Sequence, residues 1–235
     1  MNRLHTLLAC IAPFVFFINL EAQEKDRVAV TQETQVLHKG IKNTITCDIF
    51  YNKEKDAIIA HYYSPLEFVK MSNRFGEYKI YFPKTNSVEL QQDPNMATTN
   101  ELLYYFVNNK ITDLGLSKEG FVLVKTTHEE DMLVSIWEAP ATLKAVKQVK
   151  VVFKAAAPIY AEYLGYSGNI LKKIYYSHYQ NFKTFQLPLR VTEISFNGSA
   201  DSTISRSVFS NVRTSGFTGN DYFNFKIPDD AKITK

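Results

Sequence analysis

The stretch Gly76-Glu-Tyr-Lys-Ile-Tyr-Phe-Pro83 decides the fold class. Tyr78, Ile80 and Phe82 fall on one side of an extended chain and Glu77 and Lys79 on the other, because side chains alternate across a strand. One dry face and one wet face is the pattern of an antiparallel sheet. The same period of two continues outward. Towards the N-terminus, residues 41–51, 57–64 and 67–73 read as strands joined by short turns. Towards the C-terminus follow 87–91, 121–127, 132–137, 149–154, 159–166, 170–179, 187–196, 202–212 and 222–227. Turn residues punctuate them at the acidic His128-Glu-Glu-Asp131, at Tyr166-Ser-Gly-Asn-Ile170 and at Asn197-Gly-Ser-Ala-Asp201.

One clear helix interrupts the strands. Thr98 or Thr99 caps it, Glu101 complements its dipole, and Leu102, Leu103, Phe106 and Val107 form an apolar stripe, which predicts a helix over 99–110. The polar segment 23–40 suggests a second short helix around 31–38. Roughly a dozen strands with one or two helices make a mainly β (α+β) single domain over 23–235. With no repeated βαβ unit, a doubly wound nucleotide-binding fold is excluded.

Composition agrees. Of 235 residues 45% are hydrophobic and 22% charged, which excludes a disordered chain. The 17 Phe and 14 Tyr against 9 Gly favour pleated, half-buried surfaces. Lys and Arg exceed Asp and Glu by 27 − 24 = 3, too few to mark a phosphate-binding footprint, so no nucleic-acid partner is expected.

The N-terminus reads as an export signal. Arg3 precedes the apolar core Leu7–Leu20, interrupted by Pro13 and short of the ~20 residues that span a bilayer. Small Ala22 marks a cleavage edge, so residues 1–22 form the signal peptide and the mature chain is periplasmic. Leu8-Ala-Cys10 has the look of a lipidation site, but Ile11 and Phe14–Phe17 carry the apolar core past it. Cys47 is then the lone mature cysteine, with no disulfide partner, and the alternation around it makes it a buried small side chain.

Catalytic chemistry is hard to find. His38, His61, His128 and His178 lack metal-ligand spacing, HExxH is absent, and one cysteine builds no thiolate zinc site. No GxSxG elbow is present either. The expectation is a non-enzyme with no cofactor, no metal and no catalytic residue. The aromatic load on strand faces is more informative. A sheet this wide has more inward surface than one or two short helices cover, which leaves apolar face for an apolar ligand. Tyr62, Tyr78, Ile80, Phe82, Leu103, Phe106, Trp137 and Phe225 are the candidate cavity residues.

Several motifs extend this. The Gly-Glu-Tyr-Lys-Ile-Tyr strand followed by Pro83, the hairpin Gly168-Asn-Ile-Leu-Lys-Lys-Ile174, Ser207-Val-Phe-Ser-Asn-Val212 and the closing Phe223-Asn-Phe-Lys-Ile-Pro-Asp-Asp-Ala231 together resemble the LolA-like (LolA/LolB-like) lipoprotein carriers. The resemblance runs over most of 30–231. It implies an incomplete antiparallel β-barrel of about eleven strands, covered on its open side by helices. It also implies a lipoprotein carrier whose cavity shields acyl chains, or another lipophilic ligand, on the way to the outer membrane. Inner- and outer-membrane transport components become the expected partners of a monomer. The arginine that hinges the family's lid has no match here; Arg74 lies nearby without inheriting the role. Beside this stands a non-enzymatic envelope structural or interaction protein whose aromatic interior is simply filled. Exported material is expected to begin at Gln23 in an intact-mass measurement, and a diacylglyceryl group on Cys10 would overturn the signal reading.

Overall fold

The computed structural model describes residues 26–196, 198, 201–218 and 221–234. The signal segment and its cleavage edge at Ala22 lie outside them, as does part of the turn at 197–201. Among the described residues, fourteen strands form one sheet. The first six, β1 (Arg27–His38), β2 (Ile41–Asn52), β3 (Ala57–Ser64), β4 (Phe68–Ser72), β5 (Glu77–Phe82) and β6 (Ser87–Gln92), make one antiparallel meander. A second meander runs through β7 (Val122–Glu129), β8 (Met132–Glu138), β9 (Val146–Lys154), β10 (Ala157–Gly165), β11 (Ile170–Asn181), β12 (Gln186–Phe196) and β13 (Ser202–Arg213). β13 returns to pair antiparallel with β1, and β14 (Lys232–Thr234) lies parallel to β6. The order across the sheet is β14-β6-β5-β4-β3-β2-β1-β13-β12-β11-β10-β9-β8-β7.

This order puts β6 and β7, consecutive in sequence, at opposite sides of the sheet. The connection 93–121 must cross, and it does so over one face. Leu103, Phe106, Val107, Ile111, Leu116 and Phe121 of the connection are buried there. They join Val28, Val30, Tyr51 and Ile58 of the first meander and Val149, Val151, Tyr176 and Leu187 of the second in one apolar cluster. The sheet curls around this plug. Arg74 and Phe75, between β4 and β5, line one cleft with Thr142 and Leu143, between β8 and β9. Nine strand spacings separate those elements, about 43 Å in a flat sheet.

The plug contains the single α-helix of the described residues, α1 (Leu102–Val107). It is shorter than the predicted 99–110. Thr98–Asn100 forms its own 3₁₀ turn and neither threonine caps α1; Glu101 precedes it without a side-chain cap. Asn108 ends it, its amide Nδ2 donating to the Tyr104 carbonyl (2.8 Å) and to the Tyr51 hydroxyl (2.7 Å). The helix expected at 31–38 is instead part of β1. Its polar residues are matched across the ladder, with the Thr34 and Ser207 hydroxyls 2.8 Å apart. The count of about eleven strands rises to fourteen, and six helical residues replace the helical cover that the resemblance implied.

The opposite, convex face has its own cover. Phe217, Tyr222, Phe223, Phe225, Ile227 and Ala231 pack over Ala29, Phe50, Ile59, Val69, Tyr81 and Val88. The predicted strand 222–227 is therefore a strap, with only a 3₁₀ turn at Tyr222–Asn224. Phe50 receives Phe223 edge-on at 5.3 Å and stacks with Tyr222 at 5.6 Å. The strap is fastened where Arg213 Nη2 meets Asp221 Oδ1 at 2.5 Å, and that guanidinium holds the Asp221 carboxyl below the usual carboxylate range. Phe223→Ala is expected to cost about 3–5 kcal/mol in urea unfolding, as for a buried phenyl ring. Because Phe223 is on the convex face, any acyl binding by the concave face should survive in the fraction that stays folded.

Candidate functional site on the concave face

Register assigns the faces. Tyr51, Ile49 and Cys47 of β2 share the plug's side, and pairing carries that side to Ile58, Ala60 and Tyr62 of β3, then to Phe68, Lys70 and Ser72 of β4. Phe82, Ile80 and Tyr78 follow on β5. Directly opposed positions put Tyr62 and Phe68 in a stack at 4.3 Å, with Phe82 6.1 Å beyond. On the other half, Leu133, Ser135 and Trp137 of β8 oppose Phe153, Val151 and Val149 of β9. Together these strands present an apolar concave wall. The plug fills its middle and leaves two depressions.

The first lies beneath α1, with a volume of about 220 Å³. Ile58, Ala60 and Tyr62 of β3 form one wall, Val191 and Phe209 another, and Leu102 and Leu103 the roof. A charged pair stands at its mouth: Lys70 Nζ lies 3.8 Å from Glu101 Oε1 and 5.9 Å from the Tyr78 ring centroid. This pair ties β4 to the start of α1, and being partly exposed it contributes little stability.

The second depression is larger, about 500 Å³, and lies at the β7 side of the sheet. Leu133, Trp137 and Phe153 form its floor, with Leu123, Met132, Ala155 and Ala156 around them. Trp137 Nε1 donates to Ser135 Oγ at 3.0 Å, and Ser135 Oγ donates to the Val151 carbonyl at 3.3 Å. With its one polar atom satisfied inside the protein, the indole offers an apolar ring to whatever enters. Thr126, His128, Glu130 and Asp131 make the polar side, and Asp131 is held by Lys154 at 2.7 Å.

The candidate residues thus separate. Tyr62 and Leu103 line the first depression and Trp137 the second. Phe106 is fully buried, 6.0 Å from the Tyr176 ring and 6.2 Å from that of Tyr179, and pins the plug without lining either space. Tyr78, Ile80 and Phe82 are half-buried on the concave side of β5, beyond both depressions. Phe225 belongs to the convex strap, 5.9 Å from the Tyr81 ring, and leaves the cavity set. Alternation within Phe223-Asn-Phe225 correctly put both rings on one side, but the segment packs over the sheet from outside. Leu123, Leu133 and Phe153 were missed. Strand alternation marks Leu133 and Phe153, whereas Val122-Leu-Val124 is apolar at every position and conceals which side is inward.

No protein-family model matches the sequence, and no curated protein does either. Solved structures do. A LolA superfamily protein from Nitrosomonas europaea superposes with a TM-score of 0.53 at 14% identity, over 85% of this chain and 93% of that one. A DUF1329 family protein from Desulfovibrio piger gives 0.56 at 11% identity, over 86% and 91%. A domain described as an outer membrane lipoprotein-sorting protein, from Vibrio parahaemolyticus, gives 0.54 at 12%, over 86% and 92%. The chain therefore has a LolA-like fold: one curled, open, mainly β sheet. At these identities the likeness is one of fold. No helix among the described residues is long and apolar enough to cross a membrane.

Cys47 lies on the concave side opposite Tyr62, 3% exposed, and burial pushes its thiol up to about 12. A thiol so far above neutrality carries almost no thiolate. Native protein at neutral pH is expected to react with a maleimide at Cys47 only after unfolding. Cys47→Ser should lower stability by about 1–2 kcal/mol, read from the denaturation midpoint.

Proposed function

We propose that this is an exported, periplasmic lipid-binding protein, most specifically a lipoprotein carrier that shelters acyl chains on its concave face during transfer to the outer membrane. The observation that carries the reading is the open 500 Å³ depression floored by Leu133, Trp137 and Phe153. Its volume lies within the ~300–1,000 Å³ usual for ligand sites. The LolA-like fold and the Vibrio lipoprotein-sorting domain support it. The proposed activity is reversible burial, with no covalent step. About ten methylenes at ~0.8 kcal/mol each would give ~8 kcal/mol, near micromolar affinity, before the costs of ordering. That strength suits a carrier that must also release.

A second reading has its own observation. Phe106 and Val107 are wholly buried, and the space under α1 is only about 220 Å³, so the middle of the barrel is filled. A structural or interaction protein with a packed interior would look the same there. The two readings differ at the β7 side. Trp137 is the sole tryptophan, so its emission reports from the floor of the larger depression. Titration with a brominated fatty acid is expected to quench it saturably. Leu123→Asp, at a residue 47% exposed in the structure, should weaken that quenching at least tenfold while leaving the fold intact. No quenching, together with a lipid-free mass for natively purified protein, would sink the carrier reading in favour of the packed interior.

A further inference from the structure

The two edges of the sheet are finished differently. On one side the C-terminal residues add β14 beside β6, with the Lys232 amide donating to the Asn86 carbonyl at 2.9 Å. On the other, β7 is the terminal strand, and no described strand lies beyond it. Its residues Val122, Leu123 and Val124 are 63%, 47% and 48% exposed. A bare edge with apolar side chains is a template for another strand.

The chemistry of β7 names which strand. The β7–β8 hairpin closes through the two-residue turn Glu130-Asp131, with Glu129 opposite Met132 and Glu130 at φ 56°. Such a turn joins its flanking residues by a hydrogen bond. Alternation along an antiparallel ladder then turns the N–H and C=O of Glu129 and Thr127 towards β8. Those of His128 and Thr126 point outward, free to bond a neighbour. On the convex side of the same strand stand Lys125 and Glu129. They are four residues apart, about 13 Å along an extended chain, too far to meet each other. Neither makes an ion pair among the described residues.

We propose that two copies of this chain join β7 to β7, antiparallel, about a two-fold axis at Thr127, in place of the monomer that the sequence suggests. Thr126 then exchanges backbone hydrogen bonds with the partner's His128, and His128 with the partner's Thr126. Lys125 faces the partner's Glu129 in a non-hydrogen-bonded pair, where side chains are closest, and symmetry makes the contact twice. The register is selective. Moving the axis by one residue keeps the backbone alternation but sets Lys125 or Glu129 against the partner's Thr127 and loses the ion pairs, and moving it by two sets Lys125 against the partner's Lys125, or Glu129 against the partner's Glu129. On the concave side, Thr126 and His128 line the larger depression, so the depressions of the two copies meet across the seam. A five-residue ladder buries less than the ~1,000 Å² of a stable interface, so the dimer is weak, and its exposed ion pairs make it salt-sensitive.

Sedimentation velocity on the full chain, from micromolar to millimolar concentration at low and high salt, tests this. A monomer–dimer equilibrium favoured by low salt is expected. Lys125→Glu and Glu129→Lys should each weaken it about tenfold, by turning two attractions into repulsions. An equimolar mixture of those variants, and the doubly reversed chain, should recover it. Lys125, Glu129, Thr127 and Val122 are exposed or half-buried, and circular dichroism checks that each variant, including the Cys47→Ser background, folds. In a background of Cys10→Ser and Cys47→Ser, Thr127→Cys should oxidise to a linked dimer, because residues facing across such a pair lie about 4.5 Å apart at Cα. Val122→Cys, far from the axis, should not. A chain that stays monomeric at every concentration, or a dimer indifferent to both charge reversals, overturns the proposal.

Discussion

Everything in this molecule follows from the crossing made by residues 93–121. Strands β6 and β7 are neighbours in sequence and far apart in the sheet, so the segment between them has to traverse the face. A traverse over a flat sheet of this width would expose the segment's apolar side chains and the sheet's own. Curling the sheet lets Phe106 and Val107 bury completely, against residues from both meanders at once. The plug thus acts as the nucleus around which the sheet bends, and its short helix is long enough to fill the middle but not the sides. The two depressions are what remains of the concave face after the plug is seated.

The convex face solves a different problem. Antiparallel meanders normally turn one face to water, and the second meander does so with Lys150, Glu162 and Lys173 half-exposed on that side. The first meander instead has Phe50, Ile59, Val69 and Tyr81 there, which need a cover. The strap supplies it with rings of its own, and Arg213–Asp221 fixes where the strap begins. Apolar burial is therefore divided. The strap secures the first meander from outside, which leaves the concave wall of the second free to remain partly open.

What could be read from the sequence depended on whether a residue's two sides have different surroundings. Tyr78, Ile80 and Phe82 alternate with charges, so β5 and the antiparallel class were legible from one stretch. β1 was not, because Gln32 and Thr34 meet polar partners such as Ser207 on the concave side, and polar residues on both sides erase the period. Phe225 misled for the opposite reason. Its alternation with Phe223 is real, but it serves a strap, and no local pattern says which face of a sheet a strap will cover. Trp137, Tyr62 and Leu103 were legible as wall residues. The larger depression was not, since it depends on Leu123 of β7 and Phe153 of β9 being brought beside Trp137 by registry between strands distant in sequence. The strands not read as such are β1, for the reason just given, and β14, which is three residues long and made by pairing rather than by composition.

The seam between β1 and β13 has a consequence for how the chain assembles. Thr31 pairs with Ser210 and His38 with Thr203, across more than two-thirds of the sequence. Most other pairings are between consecutive strands, which need only short loops to close and form early. A nascent chain can therefore build each meander locally, but β1 waits as an open edge until residue 213 has emerged. Joining the two halves closes the longest loop among the strand pairings of the described residues. Closure of this seam therefore requires nearly the whole span from Arg27 to Arg213 to be available at once.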